Sequence, residues 1–260
     1  MLGKVLKYDL KYSFKSLIPF YVVLLGLGVL ARILGLFDEH SIMHTFYLLT
    51  DATLIFLAGV SVLVSGMVSI KHYLEKLFKD QGYLTHTLPV KKGTLLLSKV
   101  LSSAIILIMT VIVTGISLLI AFYYSGFFGD VFAFLGTTFA GMEAYKFLIF
   151  LCIYALVFYL ATVLMVYAAI AIGHSRSNNK VFTSVGIGIL FYFLMEFIYL
   201  AIILITVAVE PKFIVNLDNG TFMLADLMSF LSIFMVVALV IGGIYYFISY
   251  KFMDKKLNLE

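Results

Sequence analysis

A chain of 260 residues that is 63% hydrophobic and only 12% charged presents too little polar surface for a water-soluble globule of that size. Its net charge of +4 comes from cations spread over separate segments, which excludes a nucleic-acid surface, and its single cysteine, Cys152, excludes a disulfide within the chain. The composition places the chain in a bilayer.

Residues 1–16 form the first element. On a helical wheel Lys4, Lys7, Lys11 and Lys15 share one narrow sector, Leu2, Val5, Leu6, Leu10 and Leu17 cluster on the far side, and Tyr8 and Tyr12 sit at the rim. This pattern predicts an amphipathic helix along the inner leaflet, the alternative being a basic topogenic segment with no mechanical role. The first span follows over about Leu17 to Phe37. It succeeds a run of lysines as a signal peptide would, but it is about twenty residues long and lacks a small-residue cleavage site, so retention is expected. Beyond it His40 and His44 lie four residues apart near Asp38, Glu39 and Asp51. That spacing can serve a metal, although a solvated external loop accounts for it better. The second span runs over about Ala52 to Ile70.

A cytosolic connector, KHYLEKLFKDQGYLTHTLPVKKGTLLLSK over residues 71–99, then interrupts the apolar pattern. Its opening places Leu74, Leu77 and Phe78 on one helical face, and Gly82 offers a break. Tyr83 to Thr87 fit one short turn that Pro89 stops. Lys91, Lys92 and Gly93 turn the chain, and Thr94 can cap the third span, about Leu95 to Tyr124. An external turn, GFFGD, ends at Asp130. The remaining spans cover about Phe147 to Ile172, Val181 to Val209 and Leu227 to Tyr250, with an apolar external segment from Glu210 to Asp226 between the last two. Asn219-Gly220-Thr221 in that segment reads first as a turn. Strictly alternating ten-residue stretches, the mark of a membrane β-barrel, are lacking.

The cations orient these spans. Fifteen of the 18 basic residues precede the first span, lie in the connector, join spans four and five as Arg176 and Lys180, or follow the last span. Asp38, Glu39, Asp51, Asp130, Glu143, Glu210, Asp218 and Asp226 fall on the other side. Both termini are therefore predicted to be cytosolic.

Within the spans two features carry chemistry. Glu196 is an acidic residue near the middle of span five, where a carboxylate costs roughly 3 kcal/mol on insertion scales, so it should face protein or water. Tyr192 and Tyr199 share its helical face one turn to either side and can donate hydrogen bonds to it. The three either line a substrate path or subunit interface, or pin two helices together. Small residues at close-packing intervals are the second feature: Gly28, Ala31 and Gly35; Ala169 and Gly173; Ser184 and Gly188; Ala238 and Gly242. Cys152, inside span four, reads as a packing residue.

No G-x-x-x-x-G-K-[ST] loop is present, so any ATPase must be a separate chain. H-E-x-x-H and G-x-S-x-G are missing too, which argues against zinc or serine intramembrane proteolysis.

The run from Asp80 through GYLTHTLPV to Ser98 and Lys99 resembles the loop between the second and third spans of type-2 ABC exporter permeases. The resemblance extends over the whole chain in layout and implies an all-α membrane protein of six transmembrane helices. It implies a single permease domain over residues 1–260, with an N-terminal elbow helix at 1–16 and a cytosolic coupling connector at 71–94. The residues that correspond to the ATPase-docking coupling helix are Asp80, Gln81, Gly82, Tyr83, Leu84, Thr85, His86, Thr87, Leu88 and Pro89. It further implies two copies of an ABC ATPase that hold ATP and magnesium, a second permease copy or paralogue, and residence in a bacterial plasma membrane. The compact chain is most similar to exporters of amphipathic peptides such as phenol-soluble modulins and bacteriocins. On that reading the chain is no enzyme by itself, binds no cofactor and exports an amphipathic or hydrophobic substrate by alternating access. Two other readings stand beside it: an ion-coupled secondary carrier that uses Glu196, and a membrane immunity or assembly protein that transports nothing.

Overall fold

Every regular element that the computed structural model describes is a helix, over residues 2–37, 41–78, 90–123, 144–176, 179–209 and 224–255, with Gly82 and Gly129 besides. The elements are α1 (Leu2–Gly35), α2 (Ser41–Leu77), α3 (Lys92–Phe122), α4 (Ala144–Gly173), α5 (Lys180–Val209) and α6 (Leu224–Lys255). Each contains an apolar stretch long enough to cross a bilayer, so the protein is a multi-pass membrane protein with six candidate spans.

Two helices differ from their sequence outline. The expected elbow is not a separate element: residues 2–16 belong to the same helix as the first span, and one buried face runs through both. That face is Asp9, Ser13, Leu17, Tyr21, Leu24, Gly28 and Ala31, at steps of three and four residues. Pro19 lies inside α1 and leaves the Lys15 carbonyl without its helical donor, at the point where polar turns give way to apolar ones. In α2 the helix begins at Ser41, ahead of the expected start at Ala52, and buries Thr50 together with Asp51, which the sequence reading placed on the external side.

The chain divides into two compact units, Met1–Tyr73 with Thr94–Thr138, and Leu74–Gly93 with Phe139–Glu260. In the first, Leu24, Ala31, Leu54 and Ala121 form one cluster, and Leu17, Tyr21 and Ile106 another. Gly28 permits the closest approach of α1 to α3: a β-carbon there would stand 2.6 Å from the Ser117 carbonyl oxygen. Ser117 uses that proximity to donate to the Leu24 carbonyl at 2.6 Å. In the second unit α4 packs against both α5 and α6. A β-carbon at Gly242 would stand 3.7 Å from the Ala161 backbone and one at Gly188 3.7 Å from the Ala169 side chain, whereas one at Gly173 would clash with the Ser184 backbone at 2.7 Å. These are the small-residue contacts that the sequence intervals anticipate. Cys152, by contrast, is exposed on the surface of α4 and does not pack inside.

Candidate functional site

The predicted docking residues Asp80, Gln81, Tyr83, Leu84, Thr85, His86, Thr87, Leu88 and Pro89 lie outside the described residues. Gly82 is described and is buried. What frames them is well defined. At the α2 end, the Phe78 ring packs against His174 with centroids 5.1 Å apart. His174 is buried and donates from Nδ1 to the Ile170 carbonyl at 3.0 Å. At the α3 end, Lys92 Nζ donates to the Met253 carbonyl at 3.1 Å, and the Tyr246 hydroxyl to the Gly93 carbonyl at 3.4 Å. Both flanks thus belong to the same unit as α4, α5 and α6.

On α5 the expected trio is divided. Tyr192 and Glu196 are hydrogen-bonded to each other and both exposed. Tyr199 turns inward, its ring between Phe158 at 5.6 Å and Phe234 at 5.5 Å, and its buried hydroxyl has no hydrogen-bond partner. Only one of the two predicted tyrosine donors therefore reaches Glu196. Apart from Ser184 and Met195, α5 presents its side chains outward or half-buried, so none of the described residues encloses the carboxylate.

A third set of residues, whose meeting was not anticipated from sequence, is brought together by α1, α2 and α3. Asp9 is its centre. Asp9 Oδ1 accepts from Lys99 Nζ and lies 2.9 Å from His72 Nε2, while Asp9 Oδ2 accepts from Ser98 Oγ at 2.6 Å. Lys99 Nζ is also 2.9 Å from His72 Nε2, and the Tyr12 ring stacks on the imidazole at 4.5 Å. Asp9, His72, Ser98 and Lys99 are 4%, 1%, 0% and 3% exposed, so substrate cannot reach them. With carboxylate and ammonium in contact and the remaining valences filled by Ser98 and His72, the burial of two charges is compensated. The sequence held one signal for this cluster: Asp9 is the sole acidic residue in the first 37, and it falls on the helix face opposite the four lysines.

Among the described residues no group of three or more His, Cys, Asp or Glu side chains is arranged to hold a metal ion. The chain matches no protein-family model, no curated protein and no solved structure.

Proposed function

We propose that this chain is the transmembrane permease subunit of an ATP-driven exporter of the type-2 ABC class. It pairs with a second permease copy or a paralogue, and two separate ATPase subunits supply ATP and magnesium. The observation that carries this reading is α2, an unbroken helix of 37 residues that runs from the apolar span to Leu77 at the mouth of the connector. A docking loop can drive a membrane helix only if the two are rigidly joined, and an uninterrupted helix is the stiffest joint available. The other flank is equally anchored, through Lys92 and Gly93 to the last turns of α6.

In this scheme the termini and connector are cytosolic, in a bacterial plasma membrane. ATPase closure acts on residues 80–89, and the spans rearrange between inward-open and outward-open states. An amphipathic or hydrophobic substrate, such as a peptide toxin, bacteriocin or drug, suits the apolar spans. The Tyr192 and Glu196 pair on the exposed face of α5 fits a path or interface, because a carboxylate at mid-span needs protein or water beside it.

The test is copurification and coupled flux. An ABC ATPase should copurify with the intact chain, and Tyr83→Ala with Leu84→Ala should weaken that assembly or uncouple hydrolysis from transport. The loss of a buried aromatic anchor typically costs about 2 kcal/mol or more at an interface. Unchanged assembly together with unchanged coupling would reject the docking role.

A second reading, an ion-coupled carrier that uses Glu196, gains from one observation: that mid-span carboxylate stands exposed on the surface of α5 beside Tyr192. Flux in liposomes separates the two. Transport driven by an imposed gradient without ATP, and lost in Glu196→Gln, would establish the carrier and overturn the exporter.

A further inference from the structure

Lys99, His72 and Asp9 form a triangle of polar atoms whose hydrogen bonding depends on one proton. Lys99 Nζ contacts Asp9 Oδ1 and stands 2.9 Å from His72 Nε2. An ammonium can only donate. Its contact with Nε2 is therefore a hydrogen bond while Nε2 keeps its lone pair, that is, while the imidazole is neutral with its hydrogen on Nδ1. In that state the Asp9 and Lys99 charges cancel and the buried cluster is neutral.

A proton added at Nε2 reverses this balance. The acceptor for Lys99 disappears, and two cationic N–H groups face each other 2.9 Å apart over one carboxylate oxygen. These residues then carry a net positive charge where none is more than 4% exposed. The groups facing His72 include Asp9 and Tyr12 from α1 and Lys99, with Ser98 on the same carboxylate, from α3, and Lys71, Glu75 and Lys76 are its charged neighbours along α2. A protonated Nε2 would donate to Asp9 Oδ1 at 2.9 Å, but that carboxylate already accepts from Lys99 and Ser98, and one carboxylate cannot cancel two cations. The Tyr12 face offers an imidazolium some cation–π attraction, which is weaker than direct contact of two buried cations.

We propose that Asp9, His72, Ser98 and Lys99 are an acid-sensitive latch: with His72 neutral it clamps residues 2–16 of α1 to α2 and α3, and protonation of His72 releases them. The device holds for an exporter and for a carrier alike. It ties α1 to the two helix ends that bracket the connector, so the state of one histidine sets whether the N-terminal segment moves with them. Ser13 supplies a reporter. It lies one turn beyond Asp9 on the same face, is 0% exposed, and its hydroxyl has no partner, so a thiol in its place costs little and becomes reactive only when the segment separates.

The experiment uses the full chain in lipid nanodiscs, with Cys152→Ser and Ser13→Cys. Its rate of labelling by a water-soluble thiol reagent is divided by that of Gly3→Cys, a position with nothing within 4 Å of its β-carbon, at the same pH. Between about pH 7.5 and about pH 5 the ratio should rise at least about tenfold and reverse on neutralisation. In His72→Gln, which hydrogen-bonds without titrating, the ratio should be the same at both pH values, at whichever level. A flat ratio with His72 present, an equal rise in His72→Gln, or exposure that fails to reverse would each overturn the latch.

Discussion

The interior of the α1–α3 unit is bound by polar side chains, whereas that of the α4–α6 unit is bound by small residues and aromatic rings. All the buried polar side chains among the described residues except His174, Ser184 and Ser249 lie in the first unit. Some reach across helices: Tyr21 to Thr110 at 2.7 Å, Thr114 to Ser61 at 3.2 Å, and Ser117 to the Leu24 carbonyl at 2.6 Å. Others, such as Ser65, Ser69 and Ser102, spend their hydroxyl on a carbonyl of their own helix and act mainly as small residues. The second unit has Gly and Ala at its closest contacts and a chain of rings from Phe150 through Tyr154 and Phe158 to Tyr199, Phe234 and Phe230, with centroids 4.5 to 6.2 Å apart. Lipid is as apolar as leucine, so burying hydrocarbon does little to hold spans together, and close packing or hydrogen bonds must do it. The two units exemplify those two means. Polar binding has the further property that a change of protonation can undo it, and ring or glycine packing does not.

The largest effect should follow from breaking the polar centre on one side only. Asp9→Leu leaves the Lys99 ammonium buried without its counter-charge and should destabilise the first unit by about 3–5 kcal/mol. Asp9→Leu combined with Lys99→Met should recover most of that loss. Denaturant unfolding of the purified chain in detergent measures both, and a double variant as unstable as the single one would show that the cluster is held by something other than its charges.

Next in size is steric. Gly28→Ala places a methyl group 2.6 Å from a backbone oxygen of α3, which cannot move without moving the helix, so a loss of about 1–3 kcal/mol is expected. Gly59→Ala, in open space on α2, is the control and should be neutral or slightly stabilising through helix propensity. Equal effects at the two positions would contradict the close approach of α1 to α3.

A smaller change separates hydrogen bonding from size within the same contact. Ser117→Ala removes the donor to the Leu24 carbonyl but strands nothing, since that carbonyl also serves its own helix. Interhelical hydrogen bonds in membranes average about 0.6 kcal/mol, and the loss should be of that order. A loss as large as that of Gly28→Ala would mean that the hydroxyl, and not the glycine, sets the spacing.

The contrast between the units also explains what the sequence could and could not reveal. Span positions were legible because hydropathy integrates over some twenty residues, and Gly28, Gly173, Gly188 and Gly242 were legible because close packing repeats at fixed intervals along one helix. The length of α2 was not, since helix continues into polar turns where hydropathy is silent, as over Ser41 to Asp51; in α1 the helix over residues 2–16 was legible from its periodicity, but its fusion with the first span was not. The Asp9 cluster was hidden for a different reason. Its partners stand 63 and 90 residues away, and a single carboxylate makes no periodic pattern. In hindsight Ser61, Ser65, Ser69 and His72 trace a polar stripe along α2 that points at it. The environment of Glu196 was only half legible: its tyrosine neighbours follow from helix geometry, but which of them turns toward it depends on rings from α4 and α6.

The smallest expected effect tests that last division. Tyr199 contributes a ring to the aromatic chain of the second unit, while its buried hydroxyl pairs with nothing, so the polar atom is a cost that ring packing carries. Tyr199→Phe keeps the ring and removes the unpaired hydroxyl, and stability should stay level or rise by less than about 1 kcal/mol. Activity that depends on Glu196 should be untouched. Tyr192→Phe makes the same chemical change one turn on the other side of Glu196, where the hydroxyl is bonded to the carboxylate, and should alter that activity. Denaturation midpoints and substrate flux for the two variants, measured side by side, decide the matter. If Tyr199→Phe impairs flux as much as Tyr192→Phe does, then both tyrosines serve Glu196 in the working protein, and α5 must turn its inner face toward the path during transport.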